Sequence, residues 1–422
     1  MTRALALCLA VWACGASPAD RGAMTLADRT DQPDLEARVL TPYVERHPGL
    51  ELRHQPLSSR DEDGRGLLVA LAGDDPPDVF LVDDEDVPAV VDRDAALDLI
   101  PYLARVGVDL ARYDARLVAV FRRSAALYGL PRGYSPIVLA FNKDLFDHAG
   151  VAYPADDWTW EDFLQVARRL TRDSDGDGAV DQWGSALDPR VSYWLPWIWA
   201  GGGDVLCADG RRASGCLDSR ATVEALRWYA AWVSGARIAP LIPDPRDAPG
   251  ASARLFATGH LAVLTTGHWA VPELRAAVAA GRLRVGFVAL PHRGGAAPAT
   301  ALFVSAYAVR ARTSRRKGAV ELVATLSDSL AGAVRGAAGV ELPAQPAAAQ
   351  ALAAADTLGW EAAFLRAAAH GRPGWGARVG PWPEVEAQLQ DMMDRIVLLH
   401  ADAGRAARAT ARDLDRLLGA TR

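Results

Sequence analysis

The chain has 422 residues, of which 50% are hydrophobic and 23% charged, a composition typical of a globular protein and not of a disordered one. This length predicts two or three domains, or one large one. Acidic residues outnumber basic residues by 52 to 46, and the net charge of −6 excludes a dedicated nucleic-acid binder, which needs a basic excess.

The N-terminal segment is typical of an exported protein. An apolar run over residues 4–13 follows one positive charge, is too short to span a bilayer and fits the hydrophobic region of a signal peptide. The run ends in Val11-Trp12-Ala13-Cys14, which resembles the lipobox of bacterial lipoproteins and predicts lipidation of Cys14. Ordinary cleavage a few residues later is the alternative. Both interpretations make residues 1–23 a signal and tether, and both place the protein in the periplasm or at the cell surface, with lipidation adding a membrane anchor.

The first hundred residues then alternate between strand and helix patterns. In chain order we predict a strand over 24–27, a helix over 35–47, an extended segment over 50–57, a helix over 66–72 and a buried strand over 77–82. This alternation is typical of a doubly wound α/β sheet. Such sheets bind ligands beyond the carboxyl ends of their strands, here at Asp28-Arg29 and at Asp83-Asp84-Glu85, so Asp28 and Asp83 are candidate ligand contacts. Helix capping or a solvated turn is the alternative role for both.

The sequence lacks the common nucleotide-binding and catalytic motifs. Its two lysines, Lys143 and Lys317, are followed by Asp144 and Gly318, so no Walker-type phosphate loop can form. No Gly-x-Gly-x-x-Gly follows a strand, no His-Glu-x-x-His occurs, and Ser135 lacks the second glycine of a nucleophile elbow. The sequence therefore gives no reason to expect a cofactor or one of these catalytic sites.

An acidic glycine-rich segment follows the next predicted helix, over 160–171. Asp173, Asp175 and Asp177 match the first ligand positions of an EF-hand loop, and Asp181 could add a further ligand. The twelfth position is Gly184, where that motif requires a bidentate glutamate. A calcium site is therefore the weaker interpretation, and an acidic turn without a metal is the alternative.

The middle of the chain is rich in tryptophan, with nine of the 13 between Trp158 and Trp269. Trp194, Trp197 and Trp199 form a Trp-x-x-Trp-x-Trp pattern, whose spacing fits either a stacking platform for a ligand or packing within a helix. Further helices are predicted over 219–235, over the alanine-rich stretch 335–355, and as an amphipathic pair over 383–418 with Gly404 near the break.

The two remaining cysteines, Cys207 and Cys216, are predicted to form a disulfide because the compartment is oxidising. The Asp209-Gly210 dipeptide between them marks a tight turn, which we expect to join two short extended arms. Two free thiols or a metal pair are the alternatives, although no histidine lies nearby to complete a zinc site.

Five groups of short motifs recur in a familiar order. They lie within residues 141–163 (Phe-Asn-Lys-Asp-Leu-Phe and Trp-Thr-Trp-Glu-Asp-Phe), 199–229, 256–291, 305–309 and 382–385. Together they resemble the family 1 extracellular solute-binding proteins of bacterial ABC importers, a group that includes maltose-binding and other sugar-binding proteins. The motifs cover nearly the whole mature chain.

The resemblance implies a two-lobed periplasmic-binding-protein fold of the type II-like kind. Each lobe would be a doubly wound α/β sheet with flanking helices, and the lobes would close about a hinge. The chain is expected to cross between the lobes near Tyr134, Val288 and Leu330. The N-terminal lobe would then comprise residues 24–134 plus 289–330, and the C-terminal lobe residues 135–288 plus 331–422.

The resemblance also implies a function and further site residues. A monomer would capture a mono- or oligosaccharide in the interlobe cleft and deliver it to the permease subunits of an ABC importer. Aromatic rings and planar polar groups recognise sugars, and the family motif makes Trp269 the leading aromatic candidate. We expect Gly267 to allow a tight turn before Trp269 and Pro272 to limit helix continuation behind it. The further candidates are Arg132 and Tyr134 at the first crossing, His268 beside Trp269, and Trp382.

Each of these residues also has a purely structural alternative: core packing for the tryptophans and a satisfied surface imidazole for His268. Two other functions stay open at this point. A secreted carbohydrate-active enzyme, a hydrolase or lyase, would need paired carboxylates across the scissile bond, and no such pair is identifiable in the sequence. A binding protein that signals to a membrane sensor is the second alternative.

Overall fold

The structure is a computed structural model, and it describes residues 23–29, 33–57, 65–240 and 250–420. Residues 1–22, which include Cys14 and nearly all of the predicted signal and tether, lie outside these ranges. Across the described ranges, no helix combines the length and the apolar character that a membrane span requires.

The first third of the chain alternates strands and helices and ends in a long strand. Its elements are β1 (Met24–Asp28), α1 (Pro33–Arg46), β2 (Leu52–Pro56), α2 (Arg65–Ala72), β3 (Val79–Asp83), α3 (Val87–Asp92), α4 (Ile100–Leu103), α5 (Ala115–Val120), β4 (Arg122–Arg123), β5 (Ala126–Leu127) and β6 (Leu130–Pro136). A 3-10 helix over Asp84–Asp86 directly follows β3. The strand and helix order predicted for residues 24–82 is confirmed.

The middle third is mainly helical around a few short strands. Its elements are β7 (Val138–Asn142), α6 (Lys143–Ala149), α7 (Trp160–Leu170), α8 (Val191–Ala200), α9 (Arg220–Ser234), α10 (Ala251–Ala257), β8 (Val263–Thr266), α11 (Val271–Ala279) and β9 (Val285–Val288). The helices predicted over 160–171 and 219–235 are confirmed as α7 and α9. Reciprocal hydrogen bonds between Thr159 and Asp162 cap the start of α7.

Within its described residues, the last third of the chain contributes three strands and six α-helices. Its elements are β10 (Thr300–Val309), α12 (Arg316–Leu326), α13 (Ser329–Ala338), β11 (Leu342–Pro343), α14 (Pro346–Ala355), α15 (Trp360–Ala368), β12 (Gly371–Pro373), α16 (Trp382–Val397) and α17 (Ala403–Ala420). The alanine-rich stretch 335–355 is helical in two parts, at the end of α13 and in α14, because Gly339 at φ +82° ends α13 and β11 separates the two helices. The two closing helices are confirmed, but Gly404 lies inside α17 and the break precedes it.

The larger sheet has the strand order β11-β6-β10-β3-β1-β2, with β12 also paired to β10. β1 is parallel to β2 and β3, so the carboxyl ends of β1 and β3 lie at one edge of the sheet, at Asp28 and Asp83. β10 runs antiparallel to β3 and places Ser305 opposite Asp83. This sheet and the helices packed on it form the first lobe.

The smaller sheet has three strands in the order β8-β7-β9, and β7 is antiparallel to both neighbours. It forms the second lobe together with α6–α11, α16 and α17. The chain passes from β6 of the larger sheet to β7 of the smaller one at Ile137, and returns between β9 and β10.

The short strands β11 and β12 depart from the expected division of the chain. β11 pairs with β6, and β12 pairs with β10, so residues assigned by the sequence to the second lobe extend the sheet of the first. These strands contain two or three residues each, too short for a period-two pattern to reveal them. We therefore infer that the chain does not leave the first lobe for good near Leu330, because β11 and β12 return to its sheet.

The tryptophan-rich middle of the chain forms much of the second lobe's core. The rings of Trp160 and Trp228 stack with centroids 4.0 Å apart, and Trp197 and Trp232 meet edge to face at 4.8 Å. Trp197 and Trp232 have no exposed surface. Burial of this aromatic cluster holds α7, α8 and α9 together.

Turns, and not extended arms, connect Cys207 and Cys216. The amide of Cys207 donates to the carbonyl of Arg212 at 2.8 Å, and Gly210 has a φ of +67°. No strand is present over residues 207–216, all of which the structure describes. The two Cα atoms lie 5.4 Å apart, and their sulfur atoms are in bonding position.

Candidate ligand-binding cleft

A cleft of about 410 Å³ lies between the two lobes. The first lobe contributes residues at the ends of β1 and β3, from β6 and β10, and just before β11. The second lobe contributes α8 and the 3-10 helix His268–Ala270. The lining side chains that matter for the following argument are Arg29, Glu36, Asp83, Asp84, Glu85, Arg132, Tyr134, Tyr193, Trp269, Phe303, Ser305 and Glu341.

Three aromatic rings form the apolar wall of the cleft. Trp269 is 43% exposed, whereas most tryptophans in the described residues are buried. Its ring meets Tyr193 and Phe303 edge to face, with centroid distances of 6.2 Å and 5.6 Å. Phe303 belongs to the first lobe and the other two to the second, so this wall spans both lobes. Such rings can contact the C–H faces of a sugar.

The local structure at Trp269 differs from our expectation. Gly267 is extended, with φ −128° and ψ −170°, so it makes no tight turn before the indole. Pro272 lies in the first turn of α11, where a proline favours helix initiation and does not limit continuation. Trp269 still lies at the start of an element, as expected, since its 3-10 helix leads directly into α11.

A cluster of charged side chains forms the floor of the cleft on the first lobe. Arg132 lies at its centre, with Nε 2.9 Å from Oε1 of Glu341 and Nη1 3.5 Å from Oδ1 of Asp28. Nη1 also donates to the Tyr307 hydroxyl at 2.9 Å, and that hydroxyl donates to Oδ2 of Asp28. Arg132 and Glu341 line the cleft, whereas Asp28 lies fully buried beneath it.

Arg335 completes this floor: its Nη2 donates to the Tyr307 hydroxyl at 3.1 Å and lies 3.6 Å from Oε2 of Glu36. Burial alone would lower the pKa of Arg132, but the negative groups around it, Glu341 first, hold that pKa well above its usual value. Burial raises the pKa of Tyr307 well above its usual value, so the hydroxyl stays a neutral donor. The floor is therefore a network of charged groups held around Arg132 by ion pairs and hydrogen bonds.

At the rim of the cleft, Asp83 forms an ion pair with Arg29, which follows β1 directly. The charge of Asp83 raises the pKa of Arg29, although burial opposes this shift. Tyr134 lies deeper, at 6% exposure, and burial raises the pKa of its hydroxyl to about 12. Asp83 therefore faces the cleft beside Arg29, and Tyr134 faces it deeper, beside the floor.

The 3-10 helix Asp84–Asp86, which we call the acidic turn, lies beside this rim. Burial, and then the charge of Asp83, raises the pKa of Asp84 to about 8. The same causes raise the pKa of Asp86 to about 7. Burial also raises the pKa of Glu85 well above its usual value. No basic side chain among the described residues forms an ion pair with these three carboxyl groups.

A sequence profile for bacterial extracellular solute-binding proteins matches residues 27–329. The chain belongs to this family. The match covers most of both lobes and confirms the resemblance seen in the motifs.

Solved structures of other solute-binding proteins share the two-lobed fold. An ABC substrate-binding protein from Listeria monocytogenes in complex with cycloalternan is 21% identical, with a TM-score of 0.83 over 94% of this chain and 99% of that one. UgpB from Mycobacterium tuberculosis in complex with glycerophosphocholine is 21% identical, with a TM-score of 0.80 over 96% and 100%. The GacH receptor of Streptomyces glaucescens, solved without ligand and with acarbose, is 18% identical, with a TM-score of 0.79 over 94% and 98%.

Four of the predicted site residues line the cleft of this solute-binding protein: Trp269, Asp83, Arg132 and Tyr134. Asp28 does not reach it, because the carboxylate is buried and bonded to Tyr307 and Arg132. Asp28 instead lies beneath Arg132 and holds it in position through their ion pair. Two more, Trp199 and Trp382, line a smaller cavity of about 40 Å³, and this cavity shares Asp84, Glu85 and Phe303 with the cleft.

Trp194 and Trp197 are placed in the core of the second lobe and not at the cleft. Both have 0% exposure on α8, whose neighbouring residue Tyr193 faces the ligand space instead. The Trp-x-x-Trp spacing brings the two indoles to one face of the helix, and that face packs inward against α9. This placement corrects the stacking-platform interpretation for both.

His268 is also buried, with no exposed surface, so neither a ligand contact nor a surface imidazole describes it. Its Nε2 is 2.6 Å from Oε2 of Glu361, and its Nδ1 is 3.1 Å from the carbonyl of Gly339. The second carboxylate oxygen of Glu361 accepts from Arg275 at 2.7 Å. The backbone amide of His268 donates to Ser135 Oγ at 2.7 Å, which ties the start of the Trp269 helix to the β6–β7 crossing.

Several cleft residues were not among the candidate ligand contacts: Arg29, Glu36, Tyr193, Phe303 and Glu341. The strand-end argument named Arg29, next to Asp28, as part of the region where ligands bind, but did not make it a candidate contact. Tyr193 and Phe303 carry no signal beyond being aromatic. Glu341 precedes the two-residue strand β11, so only the folded sheet shows that it meets Arg132.

The aspartate-rich segment lies on the surface of the second lobe. Carboxylate oxygens of Asp173, Asp175 and Asp177 lie within 4.8 Å of one another, and all three residues are exposed. Asp173 accepts from the amides of Gly176 and Gly178 at 2.7 Å and 2.8 Å. Because these carboxylates already accept hydrogen bonds from the amides of their own segment, the geometry is that of an aspartate-rich surface loop stabilised by its own hydrogen bonds.

Proposed function

We propose that this solute-binding protein captures a carbohydrate in the interlobe cleft and delivers it, chemically unchanged, to the permease of an ABC importer. The observation that carries the proposal is the aromatic wall of Trp269, Tyr193 and Phe303, which lines the same cleft as a floor of charged groups. Rings provide the apolar surface for a pyranose, and carboxylates and guanidinium groups bind its hydroxyls.

The two lobes give this site a mechanism for trapping the ligand. Phe303 and the floor belong to the first lobe and Trp269 and Tyr193 to the second, so one ligand can contact both. Contacts that form only when the lobes approach would favour the closed state in the presence of the ligand. A permease could then distinguish the loaded protein from the empty one by its shape.

The proposal places the protein outside the cytoplasm, held at a membrane through lipid on Cys14, with Cys207 and Cys216 joined as a disulfide. The support is the lipobox-like string before Cys14, the membership of an extracellular family and the bonding position of the two later cysteines. Several related structures are complexes with carbohydrates, among them cycloalternan and acarbose, which supports a carbohydrate ligand here.

A thermal-shift screen against neutral, acidic and amino mono- and oligosaccharides tests the proposal. A carbohydrate that binds only the folded state raises the melting temperature in a concentration-dependent way. The same mixtures are then analysed for reaction products, and a binding protein should form none. Small-angle scattering should show a smaller radius of gyration with the best ligand. Absence of any stabilising carbohydrate contradicts the proposed ligand class, and turnover of the ligand contradicts the binding role.

A further inference from the structure

The first lobe contains a second pocket, of about 510 Å³, and no described residue lines both this pocket and the cleft. Its lining comes from the end of α1, the two 3-10 helices between α4 and α5, α12, the start of α13 and the residue before α14. The proposed carbohydrate function makes no use of this space. We call it the arginine pocket, after Arg46, Arg105 and Arg112 in its lining.

The three guanidinium groups of this pocket keep hydrogen-bond donors free. None of them forms an ion pair with a described residue. Nη2 of Arg46 donates to Oγ1 of Thr325 at 2.7 Å, and Nη2 of Arg112 donates to Oγ of Ser329 at 3.4 Å. Arg105 donates to no described residue. Since each guanidinium group carries five N–H donors, most of these donors are available to a ligand.

The carboxyl groups in the same lining have partners of their own. Oδ1 of Asp109 and Oδ1 of Asp328 each accept from a backbone amide two or three residues ahead, at 2.9 Å and 2.8 Å. Asp328 caps the N-terminus of α13, whose dipole offsets its charge. Glu321 lies 3.4 Å from Nε2 of His47. All three carboxyl groups are beyond ion-pair distance of the three arginines, so they leave the guanidinium groups open to an anion.

A buried amide in the pocket lining points independently to a ligand that donates a hydrogen bond. Gln345 lines the pocket at 3% exposure, and its Nε2 donates to the carbonyl of Ser327 at 2.6 Å. The Tyr113 hydroxyl donates to the same carbonyl at 2.9 Å, and Oε1 of Gln345 accepts no hydrogen bond from a described residue. A buried oxygen without a donor is costly, so a ligand hydroxyl that reaches Oε1 gains affinity.

We propose that the arginine pocket binds a phosphate ester that carries free hydroxyl groups, of the glycerol phosphate class. The phosphate oxygens accept charge-assisted hydrogen bonds from the guanidinium groups, whose planar fork matches phosphate geometry. A hydroxyl of the ester donates to Oε1 of Gln345. A neutral polyol can make only the second contact, and inorganic phosphate mainly the first. The inference goes beyond the proposed carbohydrate function and does not depend on it.

The pocket lies close to the start of the described chain. The Tyr43 hydroxyl is 3.7 Å from Sδ of Met24 and donates to the carbonyl of Gly318 at 3.0 Å. Tyr43 and Gly318 each stand one turn before pocket residues of α1 and α12. Cys14 precedes Met24 by ten residues, which span at most about 35 Å. Lipid on Cys14, as proposed above, would therefore hold this part of the first lobe near a membrane. A glycerol phosphate group can then come from a lipid headgroup as well as from a free ester.

Titration calorimetry at pH 7 and low salt tests the ligand chemistry. Glycerol 3-phosphate is compared with glycerol, which lacks the phosphate, and with propyl phosphate, which lacks the hydroxyl groups. We expect glycerol 3-phosphate to bind at least about tenfold more tightly than glycerol, because only the phosphate makes charge-assisted hydrogen bonds. It should bind at least about threefold more tightly than propyl phosphate, because only the ester with hydroxyl groups supplies a donor to Gln345.

Variants locate the binding in this pocket and not in the cleft. Arg105→Gln and Arg112→Gln should each weaken glycerol 3-phosphate binding about fivefold or more. Arg38→Gln is the matched control, because Arg38 is exposed on α1 and lines neither space. Trp269→Ala changes the cleft alone and should leave this affinity unchanged. Melting temperatures of all four variants show whether they fold.

Vesicles distinguish a lipid headgroup from a free ester as the source of the phosphate. The Cys14→Ser protein, which cannot carry the lipid, is sedimented with phosphatidylglycerol vesicles and with phosphatidylserine vesicles of equal charge but without free hydroxyl groups. Retention on phosphatidylglycerol that needs Arg105 and Arg112 identifies the headgroup, and binding of glycerol 3-phosphate without such retention identifies a free ester.

Three results would overturn the inference. The first is that neither glycerol 3-phosphate nor the phosphatidylglycerol vesicles bind. The second is binding that survives both arginine variants or is lost in Trp269→Ala, which would place the phosphate elsewhere. The third is equal affinity for propyl phosphate and glycerol 3-phosphate, which would remove the role of Gln345. None of these results bears on carbohydrate binding in the cleft, which the thermal-shift screen tests separately.

Discussion

The indole of Trp269 lies directly over Gly267: a Cβ atom added to Gly267 would stand 2.2 Å from Cζ3 of that ring. Since the glycine has ordinary extended dihedral angles, it is required for the space it leaves and not for its conformational freedom. The two residues together fix the indole against Tyr193 and Phe303. The orientation of the Trp269 ring, the main aromatic surface in the cleft, therefore depends on the absence of a side chain at residue 267.

Replacement of Gly267 by alanine should displace the indole and weaken ligand binding. The added methyl group cannot coexist with the present ring position, so Trp269 must rotate away from Tyr193 and Phe303. We expect at least a fivefold loss of affinity and a stability cost of about 1–3 kcal/mol, as for other overpacked sites. Gly294→Ala is the control, because nothing lies within 4 Å of a Cβ at that position. Equal affinities for the two variants would show that the ring position is unimportant.

Removal of the Trp269 side chain should separate binding from stability. The residue is 43% exposed and lines the cleft, so Trp269→Ala should weaken binding at least about fivefold with little change in melting temperature. Trp232→Ala is the contrasting variant: that indole is fully buried, and its loss should cost about 3–5 kcal/mol. Affinity per folded molecule and melting temperature are measured on both. A large loss of stability with unchanged affinity for Trp269→Ala would identify it as a core residue.

Local patterns were sufficient to predict much of the fold. Residues 79–82 form a buried apolar run, and the α1 and α7 sequences carry helix periodicity and end signals, so their structures follow from neighbouring residues. The structures of the two short strands β11 and β12 do not, because their stability comes from pairing with β6 and β10. Such pairing leaves no periodic pattern in two or three residues.

The site was predictable where it coincides with strand ends or motifs. Asp83 follows a buried strand, and Trp269 lies in a family motif, and both line the cleft. The Trp194 and Trp197 prediction failed because spacing fixes which residues share a helix face but not what that face contacts. Glu341 could not be found, since its importance arises from a partner, Arg132, more than 200 residues earlier in the chain.

Lipidation of Cys14 predicts how the protein partitions in cells. Cys14→Ser removes the thiol that would carry the lipid, so the protein should move from the membrane fraction to the soluble fraction. Cys8→Ser is the control, because Cys8 lies within the predicted signal sequence and is removed with it. Membrane fractionation and the intact mass of the purified protein are the measurements. A Cys14→Ser protein that still fractionates with membranes would contradict lipid anchoring.

The Cys207–Cys216 pair predicts a modest gain of stability. A disulfide here closes a ring of about ten residues, which should stabilise the fold by about 2–3 kcal/mol by restricting the unfolded chain. The double variant Cys207→Ser/Cys216→Ser should lose that amount in chemical denaturation, and reduction of the native protein should give the same loss. Thiol titration of unreduced protein tests the bond itself, and recovery of two free thiols would rule it out.

The raised pKa of Asp84 predicts that the ligand-free protein becomes less stable as the pH rises. Its pKa of about 8, set by burial and by the neighbouring Asp83, exceeds the ordinary aspartate value of 3.8. Between these values the folded state holds a proton that the unfolded state has released. Stability therefore falls with increasing pH, by up to about 1.4 kcal/mol per pH unit for this one group, until the pH passes about 8.

Asp84→Asn tests this linkage, because the amide keeps an acceptor for the Val304 backbone and cannot ionise. The variant and the parent should have similar stability near pH 4, and the variant should be the more stable one at pH 8. A weaker dependence on pH should remain, since the pKa of Asp86, about 7, and that of Glu85 are also raised. Asp157→Asn serves as the control at an exposed position. Denaturation curves between pH 4 and pH 9 are the measurement, and parallel curves for Asp84→Asn and its parent would show that Asp84 is already ionised at low pH.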